Sequence, residues 1–103
     1  MYEKYGQFID GKWQASSNKE TYEVINPATE EVIGHASKAT FGDVERALKS
    51  AEKGLQIWKT TPPWQRSYVL RKIADKMREK KDVLAKWMTL ENGKPLAEGI
   101  AET

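Results

Sequence analysis

The run Thr40-Phe41-Gly42-Asp43-Val44-Glu45-Arg46-Ala47-Leu48 marks the point where the apolar period of the chain changes from that of a strand to that of a helix. Thr40 has the side chain of an N-cap, and Asp43 three residues on completes a capping-box-like pair. Beyond it Val44, Ala47, Leu48, Ala51, Leu55 and Trp58 recur at helical spacing and form one apolar stripe, which predicts a long first helix. Thr61-Pro62-Pro63 predicts the start of a second, because first-turn amides have no intrahelical acceptor and proline costs nothing there; its stripe is Leu70, Ile73, Ala74 and Met77. After a charged stretch from Arg78 to Lys81, Asp82 is expected to cap a third helix carrying Leu84, Trp87, Met88 and Glu91 on one side, with Asn92-Gly93 as its left-handed stop. Pro95 opens a fourth, with Leu96, Ile100 and Ala101 as its apolar positions. Its eight or nine residues are fewer than an isolated helix needs and no capping signal closes it, so the expectation is a chain cut inside an element.

Upstream of Thr40 the signals are those of strands. Phe8-Ile9-Asp10-Gly11-Lys12-Trp13 sets an Asp-Gly pair between two short apolar-bearing runs, and a type I′ turn needs positive φ at both central residues. With Asp10 and Gly11 in the loop, Ile9 pairs with Lys12 and Phe8 with Trp13, so two aromatic rings stand opposite each other on one face. Ser16-Ser17-Asn18-Lys19 is a polar loop. Thr21-Tyr22-Glu23-Val24-Ile25 and Glu31-Val32-Ile33-Gly34-His35-Ala36 are candidate strands around an Asn26-Pro27 turn. The expected architecture is a small β-hairpin or meander over residues 1–38 followed by three to four amphipathic helices over 40–103, an α+β arrangement as an isolated piece. At 103 residues there is room for one core at most.

Composition excludes several function classes. The chain is 39% hydrophobic and 31% charged, with four Trp and four Tyr, so it is not disordered by composition. Seventeen Lys and Arg against fifteen Asp and Glu leave a formal +2, far short of the concentrated positive charge that binding a nucleic acid requires. There is no cysteine, hence no disulfide scaffold, no thiolate metal site and no cysteine nucleophile in these residues. No apolar run approaches the roughly 20 residues of a membrane span. Met1-Tyr2-Glu3-Lys4-Tyr5-Gly6 lacks the apolar core of a signal peptide, so no membrane partner and a cytosolic location are expected.

Few residues invite a chemical reading. His35 is the only histidine, and without a nucleophile or metal partner in the sequence it reads as a solvated or capped strand residue rather than a general base. Glu91 and Glu98 are separated by the Gly93-Lys94-Pro95 break, so nothing in the spacing enforces the separation that paired carboxylates need. Arg71, Lys72, Arg78, Lys80 and Lys81, near Trp64, Tyr68 and Trp87, could be a nucleic-acid surface. The interleaved Asp75, Glu79 and Asp82 favour a solvated helix face with i,i+4 pairs instead. Asn92-Gly93-Lys94 is not a phosphate loop, because it lacks the preceding glycine-rich turn and the Ser or Thr after Lys.

Five segments in order resemble the N-terminal region of the aldehyde dehydrogenase superfamily: Phe8 to Trp13; Ile25-Asn26-Pro27-Ala28-Thr29-Glu30-Glu31-Val32-Ile33-Gly34; Ala47 through Trp58; Arg66 with Leu70-Arg71-Lys72-Ile73-Ala74-Asp75; and Met88 through Glu98. The last of them looks most like the bacterial succinate-semialdehyde dehydrogenase-like branch. The resemblance implies an α/β fold for the parent and a place for this chain in an incomplete part of its cofactor-binding domain. It implies a parent that attacks an aldehyde with a cysteine thiolate, passes hydride to NAD or NADP, stabilises the tetrahedral species with an Asn side chain and releases the acid with water activated by a Glu.

None of those groups maps onto this chain, and no glycine-rich strand-turn-helix fingerprint occurs among its seven glycines. Catalytic, cofactor-binding and metal residues are therefore expected to be none here, and no cofactor is expected for the chain by itself. Some members bind a monovalent cation through main-chain carbonyls before the Asn-Pro turn, here Val24 and Ile25, completed by an acidic side chain where this sequence has Thr103; that departure leaves the site unassigned. The expected partner is the remainder of the dehydrogenase chain, with self-association when the piece is isolated. The contrasting reading is an independent hairpin-plus-helices interaction module.

Overall fold

The computed structural model describes residues 5–103. Its elements run β1 (Gln7–Ile9), β2 (Lys12–Gln14), β3 (Thr21–Ile25), β4 (Val32–Ser37), α1 (Phe41–Thr60), α2 (Pro63–Glu79), α3 (Lys81–Asn92) and α4 (Leu96–Glu102). The described residues gather into two units. One is the chain up to Val24 together with Val32–Thr60; the other is Ile25–Glu31 with Thr61–Thr103.

In the first unit β1 and β2 pair antiparallel with Phe8 opposite Trp13 and Ile9 opposite Lys12, the register that the Asp-Gly turn predicts. Asp10 and Gly11 have φ of 54° and 74°, as a type I′ turn requires. The Phe8 and Trp13 rings lie 5.1 Å apart, and Tyr5 meets Trp13 edge-on at 5.2 Å. This aromatic face is open, with Phe8 60% and Trp13 56% exposed, while Ile9 on the opposite face is buried.

A continuous meander does not form. β1–β2 and β3–β4 are two separate two-stranded sheets. The intervening Ser16–Glu20 loop satisfies itself: the Lys19 N–H donates to the Ser16 carbonyl at 2.9 Å and the Ser16 hydroxyl to the Glu20 carbonyl at 3.0 Å. With Ser17 held by Asp43 at 3.1 Å, the chain turns away before β2 can pair with β3. Lys19 also takes a left-handed φ of 60° that its residue type does not advertise.

α1 begins one residue after Thr40, and the expected box is present: the Thr40 N–H donates to Asp43 Oδ2 at 2.9 Å and the Asp43 N–H to Thr40 Oγ1 at 3.2 Å. The apolar stripe of α1 is in place but largely uncovered, with Val44, Leu48 and Leu55 all exposed and only Asp43 buried on the whole helix.

The second unit opens with the 25–31 turn, where Asn26 Oδ1 accepts from the Ala28 N–H at 2.9 Å and the Asn26 N–H donates to the Glu31 carbonyl at 2.9 Å. Glu30 sits there at φ 59°. α2 has Pro62 at its N-cap and no buried residue along its length. Asp82 does not cap α3, contrary to the expectation. The cap position is Lys80, at φ −111° and ψ 10° with no side-chain cap bond, and the Lys80 N–H is taken by the Met77 carbonyl at 3.0 Å. The break between α2 and α3 is thus one residue wide, and Asp82 lies inside the first turn, where its charge complements the helix dipole.

The ion pairs of α2 differ similarly from expectation: Arg78 meets Asp75 at 2.9 Å and Lys76 meets Glu79 at 2.7 Å, both at i,i+3. α3 ends on left-handed Gly93 at φ 71°, whose N–H donates to the Thr89 carbonyl at 3.0 Å. α4 then returns along α3, with buried Gly99 against fully buried Ala85; a Cβ on Gly99 would stand 3.2 Å from the Ala85 carbonyl oxygen.

Candidate functional site

Among the described residues, polar side chains converge most densely on Asp43. Its carboxylate is fully buried. Oδ1 accepts from the Ser17 hydroxyl and from the Arg46 guanidinium at 2.6 Å, while Oδ2 accepts from the Thr40 N–H at 2.9 Å and the Ser17 N–H at 3.1 Å. Gln7 Nε2 stands at the limit, 3.5 Å from Oδ2. Arg46 also donates to the Ser17 hydroxyl at 3.1 Å, closing a three-residue ring. Hydrogen bonds from the Ser17 hydroxyl first, then from the Thr40 backbone, hold the Asp43 carboxyl far below the usual carboxylate range, against the opposing effect of burial.

Chemically this is a structural anion. A general base needs a free lone pair within reach of a substrate, and both oxygens of Asp43 are occupied inside the fold. The sequence shows the Thr40 half of the arrangement. Ser17 lies 26 residues away, and only its polar cluster hinted that a loop would need a partner.

Each unit also carries a hollow among its described residues. In the first unit a hollow of about 460 Å³ between the β1–β2 hairpin and α1 has Lys12, Arg46, Lys49 and Lys53 around Ile9 and Trp13. In the second an apolar groove of about 490 Å³ runs along α2 over Val69, Ile73 and Met77 to Leu84 of α3.

The residues weighed from sequence are not drawn together. His35 is exposed on β4, and Glu91 and Glu98 are exposed on α3 and α4. Lys94 pairs with Glu102. The hydroxyl of Thr103 is turned to the Gly99 carbonyl of its own helix at 2.9 Å. Among the described residues no group of three or more His, Cys, Asp or Glu could hold a metal ion, and no helix is long and apolar enough to cross a membrane.

A nicotinamide dinucleotide is cradled by a parallel strand-turn-helix whose N-terminal amides meet the pyrophosphate. The strands described here form two antiparallel pairs, and the helices follow them without a crossover back to a parallel strand. The described residues do not form such a cradle.

The model of the aldehyde dehydrogenase family matches residues 13–103, nearly the whole of the chain. The chain belongs to the aldehyde dehydrogenase family. Among solved aldehyde dehydrogenases and related enzymes, the betaine aldehyde dehydrogenase of Staphylococcus aureus in complex with NAD+ is 39% identical over 94% of this chain, with a TM-score of 0.90. A 3,6-anhydro-L-galactose dehydrogenase in complex with NADP is 36% identical over 95% of it, also with a TM-score of 0.90. The chain spans 20% of the length of either protein. Two hairpins and four helices are thus an aldehyde dehydrogenase α/β piece, and its open stripes on α1 and α2 stand in a chain that spans 20% of these two solved relatives.

Proposed function

We propose that this chain is the N-terminal part of an NAD(P)-dependent aldehyde dehydrogenase, an enzyme that oxidises an aldehyde to a carboxylic acid, and that this part supports the fold without supplying a catalytic, cofactor-binding or metal-ligating residue. The observation that carries the proposal is the 39% identity spread over 94% of the chain, against a protein of which it spans only 20%. The thiolate nucleophile has to come from the rest of the parent, since these 103 residues contain no cysteine. One relative binds NAD+ and the other NADP, so the proposal extends to both nucleotides. The aldehyde is left at the level of its class: the succinate-semialdehyde-like reading of Met88 to Glu98 gains no support from relatives named for betaine aldehyde and an anhydro sugar. The parent is placed in the cytosol.

The test is a chimera in which residues 13–103 replace the matching segment of the Staphylococcus aureus betaine aldehyde dehydrogenase. The chimera should be soluble and reduce NAD+ with betaine aldehyde, while the isolated chain should reduce neither NAD+ nor NADP+ with any aldehyde. Activity of the isolated chain, or a chimera that folds no better than the enzyme with that segment deleted, overturns the proposal.

A further inference from the structure

Asn92-Gly93 is the one place in this sequence where an asparagine precedes a glycine. That order is the most prone to deamidate, because the attacking group is the following backbone nitrogen and glycine puts no Cβ in its way. The other two asparagines precede Pro27, which has no N–H to give up, and Lys19, whose side chain hinders the approach.

The pair sits at the corner between α3 and α4, with Asn92 exposed to water. The corner holds the attacking nitrogen in place. The Gly93 N–H donates to the Thr89 carbonyl at 3.0 Å, closing α3 on a left-handed residue at φ 71°. Asn92 is the last residue of the helix, and ring closure onto its side chain requires its ψ to leave the helical value. The Pro27 ring lies against Gly93, where a Cβ would stand 3.2 Å from Pro27 Cγ, and Lys94 pairs with Glu102 of α4. An exposed, labile carboxamide thus stands beside a nucleophile that the fold has locked.

We propose that Asn92 is a modification site gated by this corner, stable while the corner is closed and converted to aspartate or isoaspartate when it opens locally. On opening, the Gly93 nitrogen releases Thr89, loses its proton and bonds to Asn92 Cγ. The Cγ–Nδ2 bond breaks, and ammonia leaves with that proton. Water then opens the succinimide at either carbonyl, so one water is taken up and one ammonia released, with nothing oxidised or reduced. Neither product restores the corner. Aspartate sets a negative charge on the C-terminus of α3, where the helix dipole opposes it, and isoaspartate lengthens the backbone so that the Gly93 N–H no longer meets Thr89. Local opening is thereby recorded irreversibly in the chain.

The experiment incubates the full-length protein that carries this chain at mildly alkaline pH, beside a free peptide of residues 89–96. Mass spectrometry follows conversion of Asn92 and, in parallel, amide hydrogen exchange over residues 89–96. In the intact protein the conversion should be slower than in the peptide by roughly tenfold or more. Pro27→Ala with Glu102→Ala loosens the corner without altering the sequence around Asn92, and should accelerate exchange and conversion by similar factors. Gly11→Val, on the β1–β2 turn, should change neither. In the unaltered protein the same coupling is read by adding urea below the unfolding transition, where the two rates should rise together. Conversion at the peptide's rate in the intact protein overturns the proposal. So does exchange that accelerates without conversion, in urea or in the double variant, or a double variant that folds and changes neither rate. Acceleration by Gly11→Val as large as that by the double variant also overturns it, because the gate is then global unfolding.

Discussion

Asp43 does in one side chain what a larger domain does with a core. Among its described hydrophobic residues the first unit buries only Ile9 and Val24, and the carboxylate between Ser17, Thr40 and Arg46 ties a loop to the start of α1. Folding holds this carboxyl below its unfolded value, so the ionised clasp contributes stability that is fully present above the ordinary carboxylate range, about pH 4, and is lost as pH falls toward the depressed value. In the chimera, Asp43→Asn should lower the unfolding midpoint at pH 7 and flatten its decline below about pH 4; parallel curves for the two proteins across that range would contradict the role given to the charge.

Two glycines of the same unit separate space from strain. A Cβ on Gly6 would stand 2.1 Å from the Gln14 carbonyl oxygen, whereas Gly11 has nothing within 4 Å but a φ of +74°. Gly6→Ala should therefore cost about 1–3 kcal/mol through displaced backbone, and Gly11→Val on the order of 1 kcal/mol or more through strain alone. Chemical denaturation of a chimera extended at its start to carry residues 5–103 checks both. A neutral Gly6→Ala would show that the hairpin end does not approach Gln14 as described.

At the scale of elements, signals carried by neighbouring residues were legible and those carried by distant ones were not. The Asp10-Gly11 turn, the Thr40–Asp43 box, Pro63 in the first turn of α2 and left-handed Gly93 each depend on residues within a few positions, and all are present as read. Asp82 looked like a cap because Asp is a good one, but the Lys80 N–H bonded to the Met77 carbonyl, and α3 restarted at Lys81 before Asp82 could act. Lys19 and Glu30 take left-handed φ with side chains that do not favour it, because their N–H groups close the turns onto the Ser16 and Asn26 carbonyls. The separation of the two sheets was equally hidden, since it depends on Ser17 being held 26 residues away. Of the candidate site, only the Thr40 contact could be read from sequence.

The α3–α4 contact was hidden for the same reason. Nothing near Gly99 in sequence shows that Ala85 lies against it. Gly99→Val should separate the two helices and cost about 1–3 kcal/mol, with hydrogen exchange accelerated across α4; unchanged protection there would refute the close approach.

For the whole molecule the decisive feature is how much apolar surface its own residues leave open. Leu48, Leu55, Leu70, Ile73, Met77 and the Phe8–Trp13 face are all exposed. Each stripe belongs to an element that is regular and well formed, so the local code for structure is complete while the cover for it is not. Soluble monomers rarely expose contiguous patches beyond a few hundred Å². An aldehyde dehydrogenase piece spanning 20% of its solved relatives accounts for the pattern, because the cover then lies in the remaining length. The most direct measurement is light scattering with hydrophobic-dye fluorescence on the purified 103-residue chain, followed by thermal unfolding. The account predicts strong dye binding, a mass that rises with concentration and a broad transition. A compact, dye-silent, concentration-independent monomer unfolding in one sharp transition would contradict it and make the chain an independent module.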